Sequence, residues 1–184
     1  NKDGSLIEYH KWMFDASWFT PLFGKLVLHT RAHLGFLGSY GGAPTTRFER
    51  FDLGGSGMVQ GFAFNRDIIG LRGYKDRVIG PSGSYGNGGV AYNKFVMEAR
   101  FPVSLNPSAT IFVLGFAEGG NNFASMTDYN PFNLYKSAGF GARIFMPAFG
   151  MIGIDYGFAF DKPRPGDSDF GRQAFTFSIG QQIR

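Results

Sequence analysis

The sequence predicts an all-β fold: an antiparallel transmembrane β-barrel, to which this chain contributes about seven consecutive strands. Three observations predict it. Apolar and polar residues alternate with a period of two over stretches of about ten residues or more, the mark of strands with two unlike faces. Glycine and phenylalanine supply 28 and 22 of the 184 residues, a composition that favours strands broken by turns over helices. Connections alternate between short Pro/Gly/Asn turns and long loops, as in a sheet built of successive hairpins.

The first strand, near 10–20, sets Trp12, Phe14, Ala16 and Trp18 against Lys11, Met13, Asp15 and Ser17. After the turn "PLFG" the second, near 25–40, sets Leu26, Leu28, Ala32, Leu34 and Phe36 against Lys25, His29, Arg31 and His33. A loop from 41 to 89 follows, too long to be a passive connection inside a compact sheet. The third strand, near 90–102, opposes Phe95, Met97 and Phe101 to Lys94, Val96, Glu98 and Arg100. In the fourth, near 109–118, Glu118 shares its face with Phe112, Leu114 and Phe116, so the two faces are less cleanly separated. Beyond a loop at 119–136 come a fifth strand near 137–147 and a sixth near 150–161. The sixth alternates best, with Ile152, Ile154, Tyr156, Phe158 and Phe160 against Gly153, Asp155, Gly157, Ala159 and Asp161. A loop at 162–171 precedes the seventh, near 172–183, where Phe175, Phe177, Ile179 and Ile183 oppose Thr176, Ser178, Gly180 and Gln182.

Alternation does not say which face is inside. A soluble β-sandwich buries its apolar face, whereas a transmembrane barrel turns that face to lipid and encloses the polar one. The strand lengths suit a tilted membrane crossing. Aromatics recur near strand ends at Trp12, Trp18, Phe101, Phe145 and Phe160, where interfacial girdles sit. The polar face mixes charges with many glycines, which suits a crowded lumen. A soluble sandwich with long loops stays open beside the barrel. A barrel in hydrocarbon has to close, and bacterial single-chain barrels have an even number of strands. An odd count therefore leads us to expect the C-terminal part of a larger barrel, as does the absence of an initiator Met.

Several chemistries are set aside. Cysteine is absent, which excludes disulfides, Cys-ligated zinc and thiol catalysis. No run of about 18 apolar residues occurs, so neither a transmembrane helix nor a cleavable signal peptide is expected. The net charge of +4 is spread along the chain, so no nucleic-acid partner is expected. His29 and His33 lie on one strand face about 13 Å apart, too far to share a metal. "DKPRPGDSD" (Asp161 to Asp169) lacks the terminal Glu of a calcium loop, and "GGSG" (Gly54 to Gly57) lacks the Lys and helix of a phosphate loop. No Ser-His-Asp grouping is readable, and no enzyme activity, catalytic residue, metal or cofactor is expected.

The long loop holds "FERFDLGGSG" (Phe48 to Gly57) and then "IIGLRGYKDRVIGP" (Ile68 to Pro81), an arginine set among small and aromatic residues. Leu71, Arg72, Gly73 and Tyr74 resemble the Val/Leu-Arg-Gly-Phe/Tyr motif of the BamA-type insertase superfamily of outer-membrane and organelle barrels. The flanking GG segment, Gly80-Pro81 and a strand on either side add context. The resemblance implies that the loop folds back into the lumen. It also implies that Arg72 pairs with acidic residues on the next two strands, where Glu98 and Glu118 stand. A guanidinium in a restricted lumen calls for planar carboxylate partners. Barrels of this kind also end in alternating aromatics that act as a strand-addition signal. Phe175, Phe177, Ile179, Gly180 and Ile183 fit that pattern, although Ile183-Arg184 stands where a terminal aromatic is usual.

The resemblance covers the strands from about residue 9 onward, the back part of a barrel of about sixteen strands, without its front strands or periplasmic POTRA domains. It implies a bacterial outer-membrane insertase that folds β-barrel proteins through the seam between its first and last strands. Client outer-membrane proteins, accessory lipoproteins, the bilayer and lipopolysaccharide are the implied partners. Two other readings stay open: a polypeptide-secretion transporter of the same superfamily, and a passive porin or receptor barrel.

Overall fold

The computed structural model describes residues 8–40, 45–57, 66–81, 88–106, 108–147, 150–163, 172–173 and 175–179. In chain order the strands are β1 (Tyr9–Pro21), β2 (Val27–Ser39), β3 (Phe51–Leu53), β4 (Asp67–Ile69), β5 (Gly73–Tyr74), β6 (Ala91–Asn106), β7 (Ala109–Phe123), β8 (Tyr135–Met146), β9 (Gly150–Ala159), β10 (Arg172–Gln173) and β11 (Phe175–Ile179). Seven of them form one sheet in the order β1-β2-β6-β7-β8-β9-β11, every neighbouring pair antiparallel. The sheet is not closed on itself, and β1 and β11 are its edges.

The seven alternating segments are these seven strands, with changes at their ends. β7 continues to Phe123 rather than stopping near 118, because its Gly- and Asn-rich end keeps register with β6, Gly120 opposite Lys94 and Asn121 opposite Asn93. At the other end of that pair the register shifts between Pro102 and Ser104. Proline has no N–H to give to the ladder, so the pairing resumes one residue later. The last segment is divided. Its first two residues form β10, which pairs with β5 of the long loop, and only β11 joins the main sheet, against β9.

The two faces are inverted relative to a soluble sheet. Lys94, Glu98, Glu118, Arg143 and Asp155 are buried, as are His29 and His33, while Trp12, Trp18, Phe95, Phe140, Ile154 and Phe158 are exposed. Apolar packing is concentrated where the long loop lies against the inner face. Phe51, Leu53, Ile69, Leu71, Tyr74, Val78 and Ile79 of the loop meet Leu37, Val90 and Tyr92 of the wall in one cluster. The loop is ordered by pairing of its own. β3 and β4 run parallel, and single bridges join Phe51 to Gly89, Leu53 to Ile79 and Gly55 to Leu71.

Candidate functional site: an arginine pinned inside the sheet

Gly54, Gly55 and Gly57, all at positive φ, follow β3, and Leu71, Arg72, Gly73 and Tyr74 lie against the inner face of the sheet, with Gly55 bridged to Leu71. Leu71 is buried in the apolar cluster, and its N–H donates to Gly55 O at 3.0 Å. Gly73, at φ +88°, lies flat on β9. A Cβ on Gly157 of β9 would meet the Gly73 nitrogen at 2.9 Å and its Cα at 3.1 Å, so backbone meets backbone here without side chains between.

Arg72 is 1% exposed. Its Nε and Nη2 donate to Glu118 Oε1 at 3.0 and 2.7 Å, and its backbone N–H donates to Glu118 Oε2 at 2.9 Å. Nη2 also donates to Glu98 Oε1 at 2.6 Å, and Nη1 to Asp155 Oδ1 at 3.2 Å. The guanidinium carbon lies 3.7 Å from the centre of the Phe116 ring, a cation–π contact that covers its open face. Burial opposes the Arg72 charge, but the carboxylates of Glu118, Glu98 and Asp155 outweigh it and hold the guanidinium pKa above its ordinary value. Arg72 stays charged.

The carboxylates are held from behind. Arg143 grips Asp155 in a two-pronged pair at 2.9 and 2.8 Å, and Arg100 donates to Glu98 Oε2 from Nε at 2.7 Å. β6, β7, β8 and β9 thus all contribute to one buried ionic network around a residue that belongs to none of them. Next to it Tyr74 donates to Lys136 O at 2.7 Å, and the Asp161 N–H approaches the phenol oxygen at 3.4 Å. Burial raises the Tyr74 pKa above its usual value, so the phenol keeps the proton it donates. Gly73 and Tyr74 pair in turn with Gln173 and Arg172 at the head of the last segment.

Residues 3–183 match the Omp85 superfamily domain. The chain belongs to the Omp85 superfamily. It is 29% identical over 157 residues to the outer membrane protein assembly factor BamA of Nitratidesulfovibrio vulgaris, an alignment that covers 84% of this chain and 18% of that protein. Its fold is similar to the crystal structure of BamA from Haemophilus ducreyi lacking POTRA domains 1–3, with a TM-score of 0.68 and 19% identity over 95% of this chain and 35% of that one. The chain therefore spans less than a fifth of the curated relative's length. As an Omp85 chain it is part of an outer-membrane β-barrel, with the exposed aromatics of the sheet turned to lipid and the Arg72 network turned to the lumen.

Other residues singled out in the sequence of this Omp85 chain lie on the barrel wall where they are described. Phe175, Phe177 and Ile179 are exposed on β11 and pair with Tyr156, Ile154 and Ile152 of β9. Gly180 and Ile183 lie outside the described residues. His29 and His33 both face inward but serve different neighbours. His29 Nδ1 is 3.4 Å from Glu98 Oε2, and His33 Nε2 is 2.9 Å from the Tyr92 hydroxyl.

Sequence reasoning missed Asp155, Arg143, Lys94 and Phe116 as members of the site. Asp155 had a signal: it is the one acid flanked by inward glycines in the best-alternating strand. Phe116 explains the mixed face of β7, since an aromatic at that lumen position covers the guanidinium.

Proposed function

We propose that this chain is the C-terminal wall of an insertase that folds β-barrel proteins into the outer membrane. The observation that carries this reading is the link from the pinned loop to the terminal strand. Arg72 anchors the loop to β6, β7 and β9, and the next two residues pair with Arg172 and Gln173, just ahead of β11. The relative in Nitratidesulfovibrio vulgaris, named an outer membrane protein assembly factor, supports the same reading.

The physical task is to form backbone hydrogen bonds for a client strand in a medium without water. An exposed strand edge can do so by β-augmentation. Among the described residues β11 pairs with β9 on one side only and is an edge of the sheet, so its other side can accept a further strand. The loop, braced on the lumen side, keeps the adjoining wall in place while that edge exchanges partners. On this reading the partners are client outer-membrane proteins, accessory lipoproteins and lipopolysaccharide.

Depletion of the full-length protein, followed by quantitation of all outer-membrane barrels, tests the proposal. A broad loss of barrels with unfolded clients in the periplasm is expected. Unchanged barrels with one secreted polypeptide stalled would replace the insertase with a dedicated transporter of the same superfamily.

A further inference from the structure

Lys11 of β1 stands in register with Leu37 of the apolar cluster and reaches the long loop at three points. Its ammonium lies 2.6 Å from Asp67 Oδ2, donates to Glu49 Oε2 at 3.1 Å, and stands 5.0 Å from the centre of the Phe51 ring. Phe51 and Asp67 are themselves partners, since they open the parallel pairing of β3 with β4. Glu49 stands two residues ahead of β3. A single ammonium on the wall therefore grips both members of the pair.

The pair is in need of a grip. It is three residues long and parallel, a short ladder of the less stable kind. Two backbone bonds carry its position on to the motif: the Gly54 N–H donates to Ile69 O at 2.9 Å, and the Leu71 N–H to Gly55 O at 3.0 Å. Arg72 follows Asp67 by only five residues. A slip of one residue between β3 and β4 moves the chain by about 3.3 Å. The bonds from Arg72 to Glu98, Glu118 and Asp155, at 2.6, 2.7 and 3.2 Å, would not survive such a shift.

We infer that Lys11 is a positioning residue for Arg72. By holding Glu49 and Asp67 together it fixes β3 against β4, and with them the point at which Arg72 meets β6, β7 and β9. Without the ammonium, the two carboxylates that share it repel each other across the pair. The consequence for client assembly rests on the insertase reading above, whereas the consequence for loop order does not. Asp67 keeps 45% of its side-chain surface exposed, so solvent weakens the clasp and its loss changes loop opening by about a few-fold.

The test is hydrogen exchange of residues 67–74 in the full-length protein in lipid vesicles. Lys11→Met keeps the stem of the side chain and removes its charge. It is expected to quicken exchange over 67–74 by about threefold to fivefold. Lys11→Arg, which keeps the charge and can keep the contact with Phe51, is expected to restore the slow exchange. Asp67→Asn opens the clasp from the loop side and is expected to act as Lys11→Met does, so the test stands even where Lys11→Met fails to fold. Because Lys11 acts through Arg72, Lys11→Met should add little at Gly73 and Tyr74 once Arg72→Lys has loosened them. Additive effects of those two substitutions, no restoration by Lys11→Arg, or exchange unchanged in both Lys11→Met and Asp67→Asn would each overturn the inference. Exchange is read without a client, so a failed insertase reading leaves the result standing. Faster exchange with unchanged client insertion would support the inference and count against that reading alone.

Discussion

Arg72 carries its charge to a place with almost no solvent, and three carboxylates from three strands are buried facing it. Removing one member of such a group is expensive because the others stay behind without compensation. Arg72→Ala is expected to destabilise the docked loop by about 3–5 kcal/mol. It should also lower client insertion in a reconstituted assay, and unchanged loop protection with unchanged insertion would count against the proposed role. Arg72→Lys is a sharper probe. An ammonium cannot engage Glu118, Glu98 and Asp155 together as a planar fork does, so Lys should restore the charge but only part of the loop protection from proteases. Gly157 is as exacting. Because its missing Cβ leaves room for the Gly73 backbone, Gly157→Val is expected to cost about 1–3 kcal/mol by overpacking, read as faster limited proteolysis of the loop.

Among the elements, the two-residue strand β5 has consequences beyond its size. It rests on β9, holds the β8 carbonyl of Lys136 through Tyr74, and pairs with β10. Loop docking and the start of the terminal segment are therefore one structural unit. Tyr74→Phe removes the hydrogen bond to Lys136 O and the longer one from the Asp161 N–H, together worth about 1–2 kcal/mol. Hydrogen exchange should then quicken in both the loop and residues 175–179, whereas a change confined to the loop would separate the two. Little of this pairing was legible in the chain. β3, β4 and β5 are two or three residues long and carry no period. Their partners are set by the loop's path over the sheet, which local sequence does not encode. The seven wall strands were legible for the opposite reason, since each repeats its alternation through several cycles.

For the molecule as a whole, the inversion of faces is the governing fact. Charges are buried and aromatics exposed because lipid, not water, surrounds the wall. Ile154 is exposed on β9, flanked in sequence by inward Gly153 and Asp155. Ile154→Lys is expected to cost up to about 2–4 kcal/mol if its depth is near the bilayer midplane, measured as folding of the full-length barrel into lipid vesicles. Ser178→Ala, on the lumen side of β11, should leave that measurement nearly unchanged. Equal costs at both positions would contradict the assignment of faces.

The amino-acid sequence by itself determined the seven wall strands and placed Glu98 on the face opposite Phe95, Met97 and Phe101, because alternation in a strand depends only on parity. Its motif also singled out Arg72. Tertiary structure decided which inward groups meet. Asp155 lies 83 residues beyond Arg72 and becomes its neighbour only through the placement of the loop across β6, β7 and β9. The same folding turned Phe116 from an anomaly of pattern into the surface on which Arg72 rests, and brought Lys94 to the Glu118 carboxylate that also holds Arg72. Parity is a local property of the backbone. Neighbourhood across a curved sheet depends on the register of every strand between.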